Sequence, residues 1–269
     1  MDAVIPGQIL RRLAREWKLR LDDVEKHYVL GWILFGISKS TVARNLAFKG
    51  GTSLSKIYFP SEWRLSEDLD FTVLDDVDFD KIIKILDEEI PSRVNEESQI
   101  LLKQKEKPHT NEGYLQYKMG YNGPIGNGTI KIETTRERFV GYMETKNVAN
   151  IPSDFDYPKF SVQVYTLETL IGEKLRTVLE RGYVRDYYDV WRLLKEKEFD
   201  RPKALKMFNE KCKAKGITFS SIDQFFPDGI IETLRPHLQT SLVRLSRDPP
   251  PALETMLEEL RPLLQKFLS

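Results

Sequence analysis

Two aspartates separated by a single residue, Asp68 and Asp70, are the first residues whose spacing suggests chemistry. They alternate with Leu69 and Phe71, and this period of two predicts a half-buried strand with both carboxylates on one face. Carboxylates on such a face need compensation when they are buried. Mg²⁺ supplies it, because the ion takes one or two protein carboxylates together with phosphate oxygens. The pair indicates a divalent-cation site, and the alternative interpretation is an ordinary acidic strand end.

A glycine pair lies upstream at a predicted turn. The apolar run at residues 46–48 favours a strand, and residues 54–59 favour a short helix that stops by Pro60. Glycines let a backbone approach a ligand, and amides at a helix start favour a phosphate, with a hydroxyl residue as helix cap. Such a turn also occurs as a plain connector. Thr52 or Ser53 is suited to be the cap. The candidate nucleotide-binding residues of the turn are Gly50, Gly51, Thr52, Ser53 and Lys56.

A third carboxylate on a neighbouring strand would complete a two-metal site, and Glu133 is the best candidate. A hairpin is predicted from residues 114–121 and 129–134, which flank a segment rich in Gly, Pro and Asn. The alternation in its second strand places Glu133 and Lys131 on one face. The other interpretation is a solvent-facing Glu133 that pairs with Lys131 or Arg136.

A charged residue interrupts an apolar stripe in each of two predicted helices. Lys174 lies seven residues after Leu167, where the stripe predicts an apolar residue. Asp186 interrupts the next stripe, which continues at Val190, and Asp189 lies beside it. A charge on a core-facing stripe is paired or functional. The two interpretations are a Lys174–Asp186 ion pair that joins the helices, and a Lys174 that contacts nucleotide phosphates.

The elements that must position these residues form a mixed α/β part followed by a helical part. A buried helix is predicted at residues 21–38, an amphipathic helix at 79–90 that Pro91 ends, and a strand at 160–165. Later helices are predicted at residues 167–178, 185–195, within 203–246 and at 252–268. The predicted domains are residues 1–165 and 166–269.

Composition excludes several classes of protein. The 269 residues hold 41 Lys or Arg and 41 Asp or Glu, and this neutrality argues against a generally basic nucleic-acid binder. One cysteine and three histidines argue against a disulfide framework or a zinc site. No apolar run is long enough for a bilayer, and residues 1–12 lack the apolar core of a signal peptide. We therefore expect a cytoplasmic protein without a membrane partner.

The charge is unevenly distributed along the chain. Residues 61–100 hold 4 Lys or Arg against 13 Asp or Glu, and residues 1–60 hold 10 against 5. The acidic window contains the Asp68–Asp70 pair, and the basic segment contains the glycine turn. Lysines expected to be exposed, which permit contact with nucleic-acid phosphates, are Lys103, Lys105, Lys107, Lys195, Lys197, Lys211, Lys213 and Lys215.

Three segments resemble the nucleotidyltransferase toxins of the AbiEii/AbiGii family, which are the toxin halves of type IV toxin–antitoxin and abortive-infection systems. Residues 48–56 read FKGGTSLSK, and residues 64–71 read RLSEDLDF. Residues 173–189 begin with EKLR and end with RGYVRDYYD. The resemblance covers residues 40–195 in order, and residues 203–269 carry no matched motif.

The resemblance implies an α/β (α+β) protein with the DNA polymerase β-like nucleotidyltransferase fold, in which a mixed sheet with flanking helices precedes a helical C-terminal domain. Residues 1–165 would be the nucleotidyltransferase core. Gly51 and Ser53 would belong to the nucleotide-binding turn, Asp68 and Asp70 would be metal ligands, and Lys174 and Asp186 would complete the active site. Glu133 is the candidate for the third metal ligand.

The implied reaction moves a nucleoside monophosphate from an NTP to an acceptor hydroxyl, with release of pyrophosphate and with Mg²⁺ or Mn²⁺ as cofactor. The resemblance points to RNA, such as tRNA, as the acceptor and to a cognate antitoxin as a partner. Two alternatives remain open on the sequence. One is a non-catalytic member that acts as a partner-binding module, and the other is a small-molecule nucleotidyltransferase.

Overall fold

A computed structural model describes residues 7–155, 157–196 and 198–269. The first half of the 1–12 segment and the predicted surface residue Lys197 lie outside these ranges. Contacts divide the chain into two compact units, Met1–Val140 with Glu144–Val164, and Gly141–Met143 with Tyr165–Ser269. Compactness alone does not make either unit an independent domain, so the division at residue 165 stays a prediction. No helix in the described ranges is long and apolar enough to cross a membrane.

The first unit is built on a mixed eight-stranded sheet. Its strands are β1 Leu46–Lys49, β2 Asp68–Val73, β3 Leu101–Gln104, β4 His109–Asn111, β5 Tyr114–Asn122, β6 Asn127–Arg136, β7 Met143–Asn147 and β8 Ser161–Tyr165. The order is β3-β5-β6-β2-β1-β8-β7, and β4 pairs with β5. Strands β5 and β6 form the predicted hairpin, and β2 pairs parallel with β6 but antiparallel with β1. This sheet and its helices confirm the predicted fold class.

The helices of the first unit are α1 Gly7–Trp17, α2 Leu21–Ser38, α3 Gly50–Ser53, α4 Phe79–Lys84 and α5 Ile90–Ser98. Helix α2 is buried along most of its length, as its continuous apolar pattern predicts. Its residue Gly36 lets α5 approach closely, because a Cβ there would lie 2.9 Å from side-chain atoms of Ile90 and Val94. The hydrophobic core of this unit therefore lies between α2 and the sheet and helices that pack against it.

The predicted helix end at Pro91 is wrong. Helix α4 continues through a π-helical turn, Ile85–Glu89, directly into α5, and Pro91 lies in the first turn of α5. Proline is accommodated there because it follows the π-helical turn directly, where Ile90 N–H donates to Ile85 O five residues back and the backbone hydrogen-bond pattern changes. Burial of Ile90 and Val94 stabilises the continued helix. Helix α1 and strands β3, β4 and β7 had no predicted counterpart.

The second unit is helical, with α6 Leu167–Glu180, α7 Val184–Glu196, α8 Arg201–Ala214, α9 Ile230–His237 and α10 Leu253–Leu268. Helices α6 and α8 meet closely at Gly172, where a Cβ would lie 2.6 Å from the backbone nitrogen of Phe208. Helix α10 buries Met256, Leu260 and Leu264, as its apolar stripe predicts. The prediction that Lys211 is exposed is wrong, because Lys211 is 3% exposed and its Nζ lies 3.2 Å from Glu173 Oε2.

Candidate active site

The parallel pairing of β2 with β6 brings the three candidate carboxylates of the first unit onto neighbouring strands. Asp70 lies beside Glu133 in the register, and Asp68 lies beside Lys131. The apolar neighbours Leu69, Ile130 and Ile132 are buried, which commits the charged residues to the other face. The sheet thus groups Asp68, Asp70 and Glu133, and it places Lys131 among them.

Lys131 makes ion pairs with two of these carboxylates. Its Nζ lies 3.3 Å from Glu133 Oε2 and 3.6 Å from Asp68 Oδ2. Burial lowers the pKa of the Lys131 ammonium, but Asp68 and Glu133 outweigh this effect and raise it. The Lys131–Glu133 pair is the second of the two interpretations that the sequence leaves open for Glu133.

Glu133 also receives hydrogen bonds from the strand on its other side. Its Oε1 accepts from the Tyr114 hydroxyl and from Gln116 Nε2, the latter at 3.2 Å. Burial raises the pKa of Glu133, but Tyr114, Lys131 and Gln116 together bring it below its usual value. Glu133 is therefore an ionised carboxylate with a protein partner on each oxygen.

Asp70 is fitted against the glycine turn. Gly50 has a φ of +75°, and a Cβ at this residue would lie 2.3 Å from Asp70 Oδ2. Burial and the nearby Glu133 carboxylate raise the pKa of Asp70 to about 7, although Lys49 opposes the shift. The missing side chain of Gly50 thus creates the space that the Asp70 carboxylate occupies.

The glycine turn is not capped in the way that the sequence predicts. Helix α3 already begins at Gly50, so Thr52 and Ser53 lie inside the helical segment rather than before it. The Thr52 hydroxyl donates to the backbone oxygen of Asp68, and Ser53 Oγ donates to the Gly50 oxygen at 2.8 Å. Gly51 makes room for Arg64, whose Nη2 would lie 3.1 Å from a Cβ there. The Thr52 hydroxyl therefore fixes the turn to β2, and the Ser53 hydroxyl bonds within the turn itself.

Lys56 has an interior environment that its sequence position does not reveal. Its side chain is buried, and Nζ donates a 2.8 Å hydrogen bond to the His27 backbone oxygen. The ammonium also lies 5.5 Å from the ring centroids of both Phe155 and Tyr157. These contacts anchor the segment after α3 to helix α2, and a phosphate contact of Lys56 stays a prediction.

Lys49 is a residue of this site that the sequence reasoning did not select. It lies opposite Asp70 in the β1–β2 register and is 8% exposed. Its Nζ pairs with Glu137 and donates to Thr135 Oγ1 at 3.1 Å. Its position directly before the glycine pair was the available signal.

The donor set fits one divalent cation on the aspartate pair. Asp68 and Asp70 share one face of β2, and Mg²⁺ typically uses one or two protein carboxylates. Within the ranges that the structure describes, no three His, Cys, Asp or Glu side chains are grouped to hold a metal ion.

The second unit contains a separate buried charge cluster. Lys174 Nζ lies 3.3 Å from Asp186 Oδ1 and 2.8 Å from Asp189 Oδ2. Arg181 reaches Asp186 through Nε at 2.9 Å and Nη2 at 3.2 Å. The predicted ion pair between α6 and α7 is thus present, and Asp189 and Arg181 extend it.

The electrostatics of this cluster keep Asp186 ionised. Burial acts to raise its pKa, but Lys174 and Arg181 outweigh burial and lower the pKa to about 2. Asp186 and Asp189 are 1% and 0% exposed, so their charges depend on these partners.

Comparisons with known proteins agree with the fold and motifs. The family model for the nucleotidyl transferase AbiEii toxin of type IV toxin–antitoxin systems matches residues 32–260. The chain is similar in structure to MenT4, a nucleotidyltransferase toxin from Mycobacterium tuberculosis H37Rv, with 18% identity over 96% of this chain and 89% of that chain and a TM-score of 0.76. JHP933 from Helicobacter pylori gives 17% identity, 93% coverage of each chain and a TM-score of 0.59. No curated protein matches the sequence.

The matched region contains the aspartate pair, the glycine turn and the Lys174–Asp186 cluster, and this confirms the family resemblance of the sequence. The similarity to MenT4 supports the fold. This chain therefore belongs to the AbiEii family of nucleotidyltransferase toxins from type IV toxin–antitoxin systems.

Proposed function

We propose that this toxin is a metal-dependent nucleotidyltransferase that moves a nucleoside monophosphate from an NTP to a hydroxyl of RNA, such as a tRNA. The observation that carries the proposal is the carboxylate pair of Asp68 and Asp70 on one strand, fitted against the Gly50 turn. The family supplies the reaction class. An enzyme that uses NTPs and RNA finds both in the cytoplasm, where we place it.

Asp68 and Asp70 would hold Mg²⁺ or Mn²⁺. When bound, the ion neutralises negative charge on the transferring phosphoryl group. The chain itself prepares the ligands, because Thr52 holds the Asp68 backbone and Gly50 leaves space for the Asp70 carboxylate. This support fixes the carboxylates before a substrate arrives, which reduces the cost of ordering them.

The residues of the glycine turn would bind the NTP phosphates. Gly50 and Gly51 carry no Cβ atoms, and the hydroxyls of Thr52 and Ser53 are already used to hold that backbone in place. We assign the phosphate contacts to the backbone amides of this turn. Lys56 supports the segment from its position against helix α2.

In the second unit, Lys174 would contact the nucleotide phosphates and Asp186 would hold Lys174. The buried carboxylates of Asp186 and Asp189 hold the ammonium in place. Arg181 also pairs with Asp186, so Lys174 is not the only cation that balances the two acidic residues. A cognate antitoxin is the partner that a type IV toxin implies.

The test is transfer of label from each α-³²P-labelled NTP to RNA in the presence of Mg²⁺. We expect labelled RNA from the wild-type chain and at least a hundredfold less from Asp68→Asn/Asp70→Asn, roughly the loss expected for removed charge stabilisation. Asp80→Asn, an exposed acidic residue in the same window, is the matched control and should keep the activity.

The outcomes separate the alternatives. Label that enters a metabolite but not RNA would favour the small-molecule transferase. Growth inhibition that survives the double aspartate substitution, together with no transfer to any acceptor, would favour the partner-binding module and contradict the proposal.

A further inference from the structure

Three acidic residues and one lysine meet where β2 pairs with β6. Asp68 and Asp70 belong to β2, and Glu133 and Lys131 belong to β6. Parallel register places the Cα of Lys131 beside Asp68, and the alternation of the strand puts Glu133 on the same face two residues later. Lys131 is therefore built into the acidic cluster by strand geometry.

The ammonium of Lys131 forms ion pairs with two carboxylates at once. It is 3.6 Å from Asp68 Oδ2 and 3.3 Å from Glu133 Oε2, and its side chain is one-third exposed. A positive charge within 4 Å of two carboxylates offsets their mutual repulsion and their repulsion of an anionic substrate.

Glu133 has little capacity left for a metal ion. Tyr114 and Gln116 donate to its Oε1, and Lys131 pairs with its Oε2. An ion on Glu133 would have to replace these contacts, and the side chains that make them come from strand β5 and from β6 itself. The arrangement suits Glu133 as the anchor of Lys131.

We propose that this site takes one divalent cation, on Asp68 and Asp70, and that Lys131, held by Glu133, supplies the second positive centre. The inference rests on the proposed function, and it replaces the two-metal site expected from the sequence with one metal ion and one ammonium. Charge balance agrees with it, because one divalent ion and one ammonium neutralise three carboxylates. Glu133 would then be a positioning residue that acts through Lys131, and it would not be a metal ligand.

The test counts Mn²⁺ ions by electron paramagnetic resonance in the full chain, with an NTP analogue that has a methylene group between its α and β phosphates. The protein is kept in excess over the analogue. We expect one Mn²⁺ per bound analogue, with the six-line spectrum of an isolated ion. Two ions about 3.5–4 Å apart would instead give a spectrum broadened by their spin coupling.

Lys131→Met removes the charge but keeps a long side chain, and we expect it to admit a second, coupled Mn²⁺. Lys131→Arg keeps the charge and should retain the single-ion count. If Lys131→Met does not fold, Lys131→Gln takes its place. The wild-type count needs no variant.

The outcomes are distinct. Two coupled ions in the wild type, or a single ion in the folded Lys131→Met or Lys131→Gln chain, would overturn the inference and leave the proposed function intact. A chain that binds no Mn²⁺ with the analogue would overturn both. One ion in the wild type and two in the uncharged variant support the inference.

Discussion

The Asp70 carboxylate occupies the space that a side chain at Gly50 would require, since a Cβ there would lie 2.3 Å from Asp70 Oδ2. The glycine is thus coupled to the aspartate directly and not only to a substrate. It also has a φ of +75°, a conformation that other residues adopt at a cost. These two demands on one residue can be separated by experiment.

Gly50→Ala should lower the free energy of unfolding by about 1–2 kcal/mol from backbone strain, and it should also displace Asp70. The matched control is Gly216→Ala, because Gly216 has a φ of +68° but nothing within 4 Å of its Cβ position. Both variants should lose stability in urea unfolding, and only Gly50→Ala should lose RNA labelling and Mn²⁺ affinity. Equal activity in the two variants would contradict the coupling.

Asp70→Asn should stabilise the metal-free protein at high pH. The folded-state pKa of Asp70 is raised to about 7, so the ionised group destabilises the folded state increasingly as the pH rises from about 4 to 7. In EDTA, the variant should be more stable than the wild type at pH 8 by more than about 1 kcal/mol, and the difference should shrink toward pH 4. Chemical unfolding at both pH values measures it, with Asp80→Asn as the exposed control. A variant that is less stable than wild type at pH 8 would refute the argument.

Divalent ions should stabilise the wild-type chain, and more strongly at pH 8 than at pH 6. The reason is that a proton on Asp70 competes with the ion for the carboxylate. At a hundredfold excess of Mn²⁺ over its Kd, the thermal midpoint should rise by about 5–10 °C. Asp68→Asn/Asp70→Asn should show no rise, and Asp80→Asn should behave as wild type. A rise that is independent of pH would argue against Asp70 as a ligand.

Asp186→Asn should destabilise the protein at neutral pH. The folded-state pKa of Asp186 is lowered to about 2, so its ion pairs contribute stability above the unfolded-state value and lose it as the pH falls toward 2. We expect a loss of about 2 kcal/mol at pH 7 that diminishes on acidification. Glu254→Gln, which removes an exposed ion pair with Arg235, should change little. A constant loss across this pH range would show that the amide disrupts packing instead.

Local pattern was sufficient to predict much of the fold. The alternation of Asp68 to Val73 predicted β2 and its charged face, and the turn residues between β5 and β6 predicted their hairpin. Pro91 misled the helix prediction because the helix continues past it through a π-helical turn. The π-helical turn before it is an effect of packing that local pattern does not encode.

The candidate site was predictable only in part. The sequence pointed to Asp68, Asp70 and Glu133, yet the double role of Lys131 depends on the parallel register between β2 and β6. Asp189 lay beside Asp186 in the sequence, but its 2.8 Å contact with Lys174 depends on how α6 and α7 pack. Lys211 was predicted to be exposed and Lys56 to bind a nucleotide, and both side chains are buried, because long-range packing decides which charged groups are removed from solvent.

The parallel pairing of β2 with β6 also sets the order in which the residues of the site become available during synthesis. A ribosome releases Asp68 and Asp70 first, and Lys131 and Glu133 emerge 63 residues after their respective strand partners. Until that later strand is synthesised and aligned, the aspartates lack the lysine that compensates them. A chain that ends before β6 would therefore keep both aspartates but lack Lys131 and Glu133, and with them the second positive centre of the proposed site.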